Sequence, residues 1–193
     1  MKLFTIKAIA AASLMSCSMQ PQAVDLNANV DDFSSTKTTS LGHPRLFMDD
    51  SASGGATTTQ QEIKNGVITL TGKIVPARGQ PGWASTVLLL DDKGEPQDAS
   101  KYQGIRLVIK VNKGNINLSA NSSEIVNYDY HVAPVVVKKY GEFEEIKVPF
   151  DSMKRAWSAQ TKLNKETLSS ISIVAWGMQP TSFDYVIDEV GFY

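Results

Sequence analysis

The chain has 193 residues, with 19 basic and 20 acidic side chains and 42% hydrophobic residues. This length accommodates one domain or two small ones. A net charge of -1 provides none of the clustered positive charge with which nucleic-acid-binding proteins neutralise phosphates. The single cysteine cannot form an intramolecular disulfide, and with only two histidines a Cys/His zinc site is hard to assemble.

The N-terminal segment has the order of a secretory signal. Lys2 and Lys7 form a positive end, the apolar run 8–15 follows, and Ser16 precedes Cys17. The apolar run is too short to span a bilayer. This order predicts export from the cytoplasm.

Two fates of Cys17 remain open at this stage. Leu14 and Ser16 before Cys17 resemble a bacterial lipobox, which would make Cys17 the lipidated first residue of a periplasmic or outer-membrane lipoprotein. The alternative is an ordinary signal cleaved near Ala23. In the lipoprotein reading, a lipid anchor at Cys17 is the chain's one contact with a membrane.

The expected organisation has three parts. Residues 1–23 are a signal peptide and the start of a tether, and residues 24–30 are a polar linker without periodicity. A single β-sandwich domain is predicted from residue 31 to residue 193.

Alternating apolar residues dominate that domain. Ile105, Leu107 and Ile109 recur with a period of two, which turns one face of a strand inward. The dipeptide Asn65-Gly66 tolerates positive φ and suits a tight turn. In chain order, strands are predicted at 45–48, 66–71, 83–90, 105–111, 116–120, 128–137, 143–148, 170–176 and 183–192.

One short helix is predicted at 149–157, where Phe150, Met153 and Trp157 have helical spacing. Strands at regular intervals without long helices between them favour an antiparallel sandwich. The predicted fold class is therefore all-β, a two-sheet jelly roll with one short helix.

Motifs that carry chemistry are mostly missing from the sequence. It contains no Gly-x-Ser-x-Gly elbow, dinucleotide-binding turn or phosphate loop. His43 and His131 are interpreted as structural or solvent-facing residues. We therefore expect a protein that is not an enzyme.

Paired carboxylates such as Asp91-Asp92 point to opposite faces of a strand or belong to turns, so they are not catalytic pairs. Asp32 and Asp188 flank the first and last predicted strands. Hard oxygen ligands at such positions can hold a structural calcium ion. The alternative is that both acids face solvent, and no other cofactor is predicted.

The segment 49–57 is the most informative loop. It combines Asp49 and Asp50 with the double glycine Gly54-Gly55, which allows a tight backbone path and close approach of a ligand or another surface. A positive φ is expected at Gly55. The alternative is a flexible loop without function.

Several segments together resemble the complex I intermediate-associated protein 30 family. They are Asp32-Phe33, the 49–57 loop, the 66–72 strand, the run Tyr102-Gln103-Gly104-Ile105-Arg106-Leu107, the run Val148-Pro149-Phe150 followed by Trp157, and the closing Ile187-Asp188-Glu189-Val190. The resemblance implies a galactose-binding-like jelly roll, related to family 11 carbohydrate-binding modules. The family's mitochondrial role in assembling respiratory complex I does not transfer easily to an exported bacterial protein.

Two functions are therefore expected from the sequence. The first is a non-catalytic envelope module that binds carbohydrate or a small ligand, because sugar rings stack on aromatic side chains while their hydroxyls bond to polar groups. Its candidate ligand-binding residues are Asp49, Asp50, Gly54, Gly55, Trp83, Tyr128, Tyr130 and Trp176. The second is a protein-interaction or assembly factor of the cell envelope. In a purely structural reading, Trp83 and Trp176 are core residues.

Overall fold

The structure is a computed structural model that describes residues 26–193. This part of the chain forms twelve β-strands and three 3₁₀ helices. The strands are β1 (Asn29–Asp31), β2 (Arg45–Asp49), β3 (Thr58–Lys64), β4 (Val67–Ile74), β5 (Gly82–Leu89), β6 (Gly104–Lys113), β7 (Asn115–Ser122), β8 (His131–Pro134), β9 (Phe143–Pro149), β10 (Lys154–Arg155), β11 (Leu168–Gly177) and β12 (Thr181–Phe192). The 3₁₀ helices are Asp50–Ser53, Phe150–Ser152 and Lys165–Thr167.

The strands form two six-stranded sheets. The first sheet has the order β3-β4-β12-β6-β9, with β1 also paired to β12, and the second has the order β10-β8-β7-β11-β5-β2. Every pairing between strands is antiparallel. The predicted all-β, two-sheet antiparallel sandwich is confirmed.

The core lies between the inner faces of the two sheets. The apolar residues whose alternation predicted strands are the ones that fill it, including Ile105, Leu107 and Ile109 of β6 and Ile171 and Ile173 of β11, all fully buried. Each such side chain contributes about 1.5–3 kcal/mol to folding through removal from water.

The domain begins earlier than Asp31. Leu26 and Val30 are buried in the core, and the Phe192 amide donates to the Ala28 carbonyl at 2.7 Å. The Tyr102 hydroxyl also donates to the Leu26 carbonyl at 2.7 Å. Residues 26–30 are therefore part of the sandwich, and the predicted linker over 24–30 is wrong for them.

Strand β3 escaped prediction because its sequence is polar. It is an edge strand with six polar residues and Ile63, so it shows no apolar alternation. Its pairing with β4 depends on the predicted turn, where Asn65 and Gly66 have φ of 53° and 75°. Such positive angles at both central positions suit a tight hairpin.

The helix predicted over 149–157 is shorter than expected. Only Phe150–Ser152 is helical, as one 3₁₀ turn, and the chain then continues into β10. Phe150 and Met153 are buried as expected, whereas Trp157 is 60% exposed. The strand predicted over 128–137 is shorter than expected, because β8 begins at His131.

The signal peptide and Cys17 lie outside the described residues. Their export and lipidation therefore stay predictions. Within residues 26–193, no helix is long and apolar enough to cross a membrane.

Candidate functional site

The second sheet turns one face to the core and the other, here called the outer face, away from the first sheet. Strand alternation places these side chains on the outer face: Leu46, Met48, Trp83, Ser85, Val87, Leu89, Asn117, Ser119, Asn121, Val132, Pro134, Lys154, Ser170, Ser172, Val174 and Trp176. Lys154 is the one charged residue among these strand positions. The outer face of this sheet is therefore close to neutral.

The opposite side of the molecule has a different character. The outward positions of β6 and β9 carry Arg106, Lys110, Glu145 and Lys147. Arg106 forms ion pairs with Glu145 and with Glu189 of β12. This is a solvated, charged surface, so the outer face of the second sheet is the one suited to an uncharged partner.

A ladder of small polar side chains runs along the centre of the outer face. The Asn121 amide nitrogen donates to the Ser170 hydroxyl at 2.9 Å and to the Ser172 hydroxyl at 2.8 Å. Ser119, the register partner of Ser172, is 2% exposed, and its hydroxyl has no hydrogen-bond partner. Because buried polar groups are nearly always paired, an unpaired hydroxyl is unusual at this position.

Trp83 and Trp176 lie side by side at one end of the ladder. They are direct register partners on β5 and β11, and both are half-buried. The Trp176 indole nitrogen is buried and makes no hydrogen bond. The Trp176 side chain lies at a cavity of about 260 Å³ whose lining also includes Asn117 and Tyr140. The structure thus brings together two of the predicted ligand-binding residues.

A second aromatic cluster lies beyond the opposite end of the ladder. The rings of Tyr130 and Trp157 meet edge to face with centroids 5.3 Å apart. Tyr128 is 92% exposed and has a φ of 61°, a left-handed conformation that is uncommon for a bulky residue. Both tyrosines were predicted from the sequence as ligand-binding residues, whereas Trp157 was not, because its spacing from Phe150 and Met153 indicated a helix.

The carboxylate of Asp129 fixes this aromatic cluster. It is fully buried and accepts from Arg155 Nε at 2.8 Å and from the amides of Tyr130, Ala156 and Ser158 at 2.8–3.0 Å. These bonds join the loop before β8 to the loop after β10. The backbone that carries Tyr130 and Trp157 is therefore tied together by a buried polar junction.

Asp129 and Asp32 are the carboxyl groups whose pKa values lie furthest below their ordinary range. Burial acts to raise the pKa of Asp129, but the opposite effect of hydrogen bonds from Arg155 and Ser158 is larger, so the pKa is lowered overall. Hydrogen bonds from the Ser34 hydroxyl and amide lower the pKa of Asp32 to about 2. A group whose pKa is lower when folded binds fewer protons in the native state and stabilises it above the pKa of the unfolded chain.

We therefore predict that stability falls on acidification. The free energy of unfolding should be nearly constant above about pH 4 and decline from there towards pH 2, where the native carboxylates of Asp129 and Asp32 begin to be protonated. Urea denaturation across this range measures the effect. Asp129→Asn should be less stable than the wild type at pH 7 and should lose less stability on acidification; an equal loss would contradict the assignment to Asp129.

The 49–57 loop is ordered. Asp49 caps the first 3₁₀ helix by accepting from the Ser51 amide at 2.9 Å. The Asp50 carboxylate is buried, and it accepts from the Thr57 amide, the Thr57 hydroxyl and the Trp83 amide at 2.8–3.2 Å. The prediction of Asp50 as a ligand contact is wrong, because these bonds enclose its carboxylate and connect the loop to β5.

The two glycines of the loop have different structural roles. Gly54 ends the 3₁₀ helix with a φ of 83°, whereas Gly55 has no positive φ. A Cβ on Gly55 would lie 2.1 Å from Asp50 Cγ, so this position requires glycine for close approach. The positive φ expected at Gly55 is therefore found one residue earlier, and both glycines support the loop instead of lining the outer face.

The described residues gather no group of three or more His, Cys, Asp or Glu side chains able to hold a metal ion. The Asp32 carboxylate instead accepts from the Ser34 hydroxyl at 2.6 Å and from the Ser34 amide at 3.1 Å. Asp188 is exposed on β12. Calcium at Asp32 and Asp188 stays a prediction from the sequence.

The comparisons with known proteins extend over most of this chain. A model of the complex I intermediate-associated protein 30 (CIA30) family matches residues 32–187. The chain belongs to this family. The resemblance found in the sequence is thereby confirmed. No protein among the curated sequences matches the chain.

Solved structures similar to this CIA30 domain share its sandwich fold. The family 11 carbohydrate-binding module of the cellulase Lic26A-Cel5E of Clostridium thermocellum has a TM-score of 0.61 at 18% identity, covering 85% of this chain and 92% of its own. The family 11 module from Clostridium thermocellum in complex with a β-1,3-1,4-mixed-linked tetrasaccharide has a TM-score of 0.60 at 18% identity, and the match covers 84% of this chain and 92% of the module. The agarase AgWH50C gives a TM-score of 0.58 at 7% identity, covering 84% of this chain and 24% of the agarase.

Proposed function

We propose that this CIA30 domain is a non-catalytic module that binds a neutral carbohydrate across the outer face of the second sheet. The observation that carries the proposal is the paired Trp83 and Trp176 beside unsatisfied polar groups of the same face. The Trp176 indole N–H and the Ser119 hydroxyl are both buried without a partner. A ligand with hydroxyl groups would supply the missing hydrogen bonds.

The chemistry of the face fits a sugar chain. The apolar C–H faces of sugar rings pack against indole rings, while their hydroxyls exchange hydrogen bonds with amide and hydroxyl side chains. Asn121 uses its amide hydrogens on Ser170 and Ser172, which leaves the hydroxyl hydrogens of both serines free to donate to a ligand. The near absence of charged residues favours a neutral glycan over an anionic one.

The similar structures support the same ligand class. Two of them are family 11 carbohydrate-binding modules, one in complex with a mixed-linked tetrasaccharide. The proposal includes no catalytic step. The His131 ring is buried and its Nε2 lies 2.8 Å from the Thr161 carbonyl oxygen, so we assign this histidine a structural role. The proposal also includes export and a lipid anchor at Cys17, for which the support is the sequence alone.

A second candidate function rests on the apolar half of the outer face. Towards the edge strand β2, the face presents Leu46 and Met48, both exposed, next to Val87 and Leu89. Exposed apolar side chains grouped in this way are typical of a protein-interaction surface. An envelope assembly factor would use this half of the face for a partner chain.

Glycan binding by the full chain distinguishes the two functions. We expect a neutral β-glucan oligosaccharide, such as the mixed-linked tetrasaccharide, to bind in isothermal titration calorimetry. Trp176→Ala and Trp83→Ala should each weaken binding about tenfold or more, because large aromatic anchors dominate such interfaces. Trp176→Phe should weaken it less, since it keeps a ring and removes the indole N–H.

A matched control is Phe143→Ala, an exposed aromatic on edge strand β9 of the first sheet. It should leave the affinity unchanged. Unaltered binding by both tryptophan variants, with thermal unfolding near that of the wild type, would contradict the assigned face. A blank across a glycan array combined with tight capture of one envelope protein that Met48→Asp abolishes would favour the second function.

A further inference from the structure

One lateral side of the sandwich is open between two edge strands. β2 ends the second sheet and β3 ends the first, and a cavity of about 210 Å³ lies between them. Its lining includes Phe47, Asp49, Thr59, Gln61, Leu70 and Tyr185. This volume is below the roughly 300 Å³ of pockets that hold drug-sized ligands, so it suits a small molecule.

Polar residues occupy inward positions of both edge strands. Gln61 is the register partner of buried Leu70, and Thr59 is the partner of Gly72. On the other edge, Asp49 is paired with buried Ala84. A strand that only closed a core would carry apolar residues at these inward positions, as β6 does. Gln61 is exposed at the rim of the lateral cavity, whereas Thr59 and Asp49 are half-buried, so polar groups line the cavity from both edge strands.

Several of these groups lack a partner. The Thr59 hydroxyl is buried and makes no hydrogen bond. Within residues 26–193, the side-chain amide of Gln61 makes no hydrogen bond, and the Asp49 carboxylate is bonded only within its own loop, to Ser51. Tyr185 also lines the cavity, and burial raises the pKa of its phenol. A hydroxyl left unpaired in a buried position is costly unless a ligand or water satisfies it.

The charge of the lateral cavity is negative. Asp49 is the one charged residue in its lining. Hydrogen bonds from Ser51 lower the pKa of Asp49, so the carboxylate is ionised at neutral pH. Phe47 and Leu70 supply an apolar wall beside it. The lining is therefore complementary to a small molecule with one cationic group, hydroxyls and an apolar side.

We propose that this lateral cavity binds a small hydroxylated amine, such as an amino sugar or an amino alcohol. The ammonium group lies against the Asp49 carboxylate, and the hydroxyls bond to Thr59 and Gln61. The cavity opens between the sheet edges and reaches Met48 and Ser85 at the margin of the outer face, but neither Trp83 nor Trp176 lines it. The site is therefore distinct from the aromatic pair on which the glycan proposal rests.

Paired probes test the charge requirement in the full chain. Glucosamine and glucose are titrated in turn while backbone amide shifts are followed by nuclear magnetic resonance. Glucosamine should shift amides of β2 and β3, with a millimolar dissociation constant, and glucose should bind about tenfold or more weakly. Amides of Asn121 and Ser172 should not move, which separates this result from any failure of the proposed glycan face.

Three variants complete the test. Asp49→Asn keeps a residue able to cap the 3₁₀ helix and should weaken glucosamine about tenfold. Thr59→Val should weaken both probes without lowering the melting temperature, because it replaces an unpaired buried hydroxyl by a methyl group. Glu62→Gln removes a carboxylate from the outward face of the same edge strand and should change nothing. No shifts in β2 and β3 with glucosamine, or the same affinity in wild type and Asp49→Asn, would overturn the proposal.

Discussion

Replacement of Arg45 by Met is expected to lower the free energy of unfolding by about 3–5 kcal/mol, because it leaves a buried carboxylate without its cation. Asp31 and Arg45 form a two-point ion pair, with Nε to Oδ2 at 2.5 Å and Nη2 to Oδ1 at 2.8 Å. Both side chains are almost fully buried. The pair joins β1 to β2, which belong to different sheets, and the Arg45 guanidinium also lies over the Phe33 ring at 5.1 Å.

The double variant Asp31→Asn/Arg45→Met is the matched control. It removes both charges. The Phe33 amide donates to Asp31 Oδ1 at 3.0 Å, and the side-chain oxygen of the asparagine can still accept this hydrogen bond. We expect it to recover at least about half of the loss, because a neutral buried pair of side chains lacks the cost of an isolated charge. Chemical denaturation of all three proteins at pH 7 measures this. A double variant as unstable as the single one would show that the packing of Arg45 matters and its charge does not.

Replacement of Gly55 by Ala is expected to destabilise the domain by about 3 kcal/mol or more, through overpacking. The added Cβ would meet Asp50 Cγ at 2.1 Å and Asp50 Oδ1 at 2.2 Å, so the buried carboxylate must move. That movement breaks its bonds to Thr57 and Trp83. Because Trp83 is one member of the aromatic pair proposed to bind the glycan, we expect the affinity for the glycan to fall together with stability. Thermal and urea unfolding measure the first effect, and calorimetry the second.

Gly54→Ala controls for the general cost of losing a glycine in this loop. It forces an alanine into a left-handed conformation, at about 1 kcal/mol, but its Cβ would meet nothing closer than 3.9 Å. In an Asp50→Ala background, the further cost of Gly55→Ala should become small, because the clashing carboxylate is gone. Equal costs of Gly55→Ala in both backgrounds would contradict the contact with Asp50 as the cause.

Short-range patterns predicted the parts of the fold that depend on local chemistry. The alternation of Ile105, Leu107 and Ile109 marks β6 because one face of that strand is fully buried. The Asn65-Gly66 turn was visible because few other residues accept positive φ at two successive positions. Asn115, Asn117, Ser119 and Asn121 also alternate with apolar residues, so the polar ladder of β7 was a signal in the sequence that the analysis did not use.

Contacts between distant residues could not be predicted in the same way. Trp83 and Trp176 are 93 positions apart in the sequence, and only the register of β5 with β11 makes them neighbours. The sequence analysis selected Asp32 and overlooked Asp31, since the buried partner Arg45 lies on another sheet. Likewise Asp129 acquires its role from Arg155. Burial and pairing of charges depend on topology, which no local pattern contains.

The most direct test of the glycan-binding face is a map of where a neutral oligosaccharide contacts the folded protein. Backbone and indole N–H resonances of the full chain are followed by nuclear magnetic resonance as the mixed-linked tetrasaccharide is added. The account predicts that the largest shifts fall on the Trp176 and Trp83 indoles and on the amides of Ser119, Asn121 and Ser172. Shifts confined to the charged outer side of the first sheet, around Arg106 and Glu145, would contradict it.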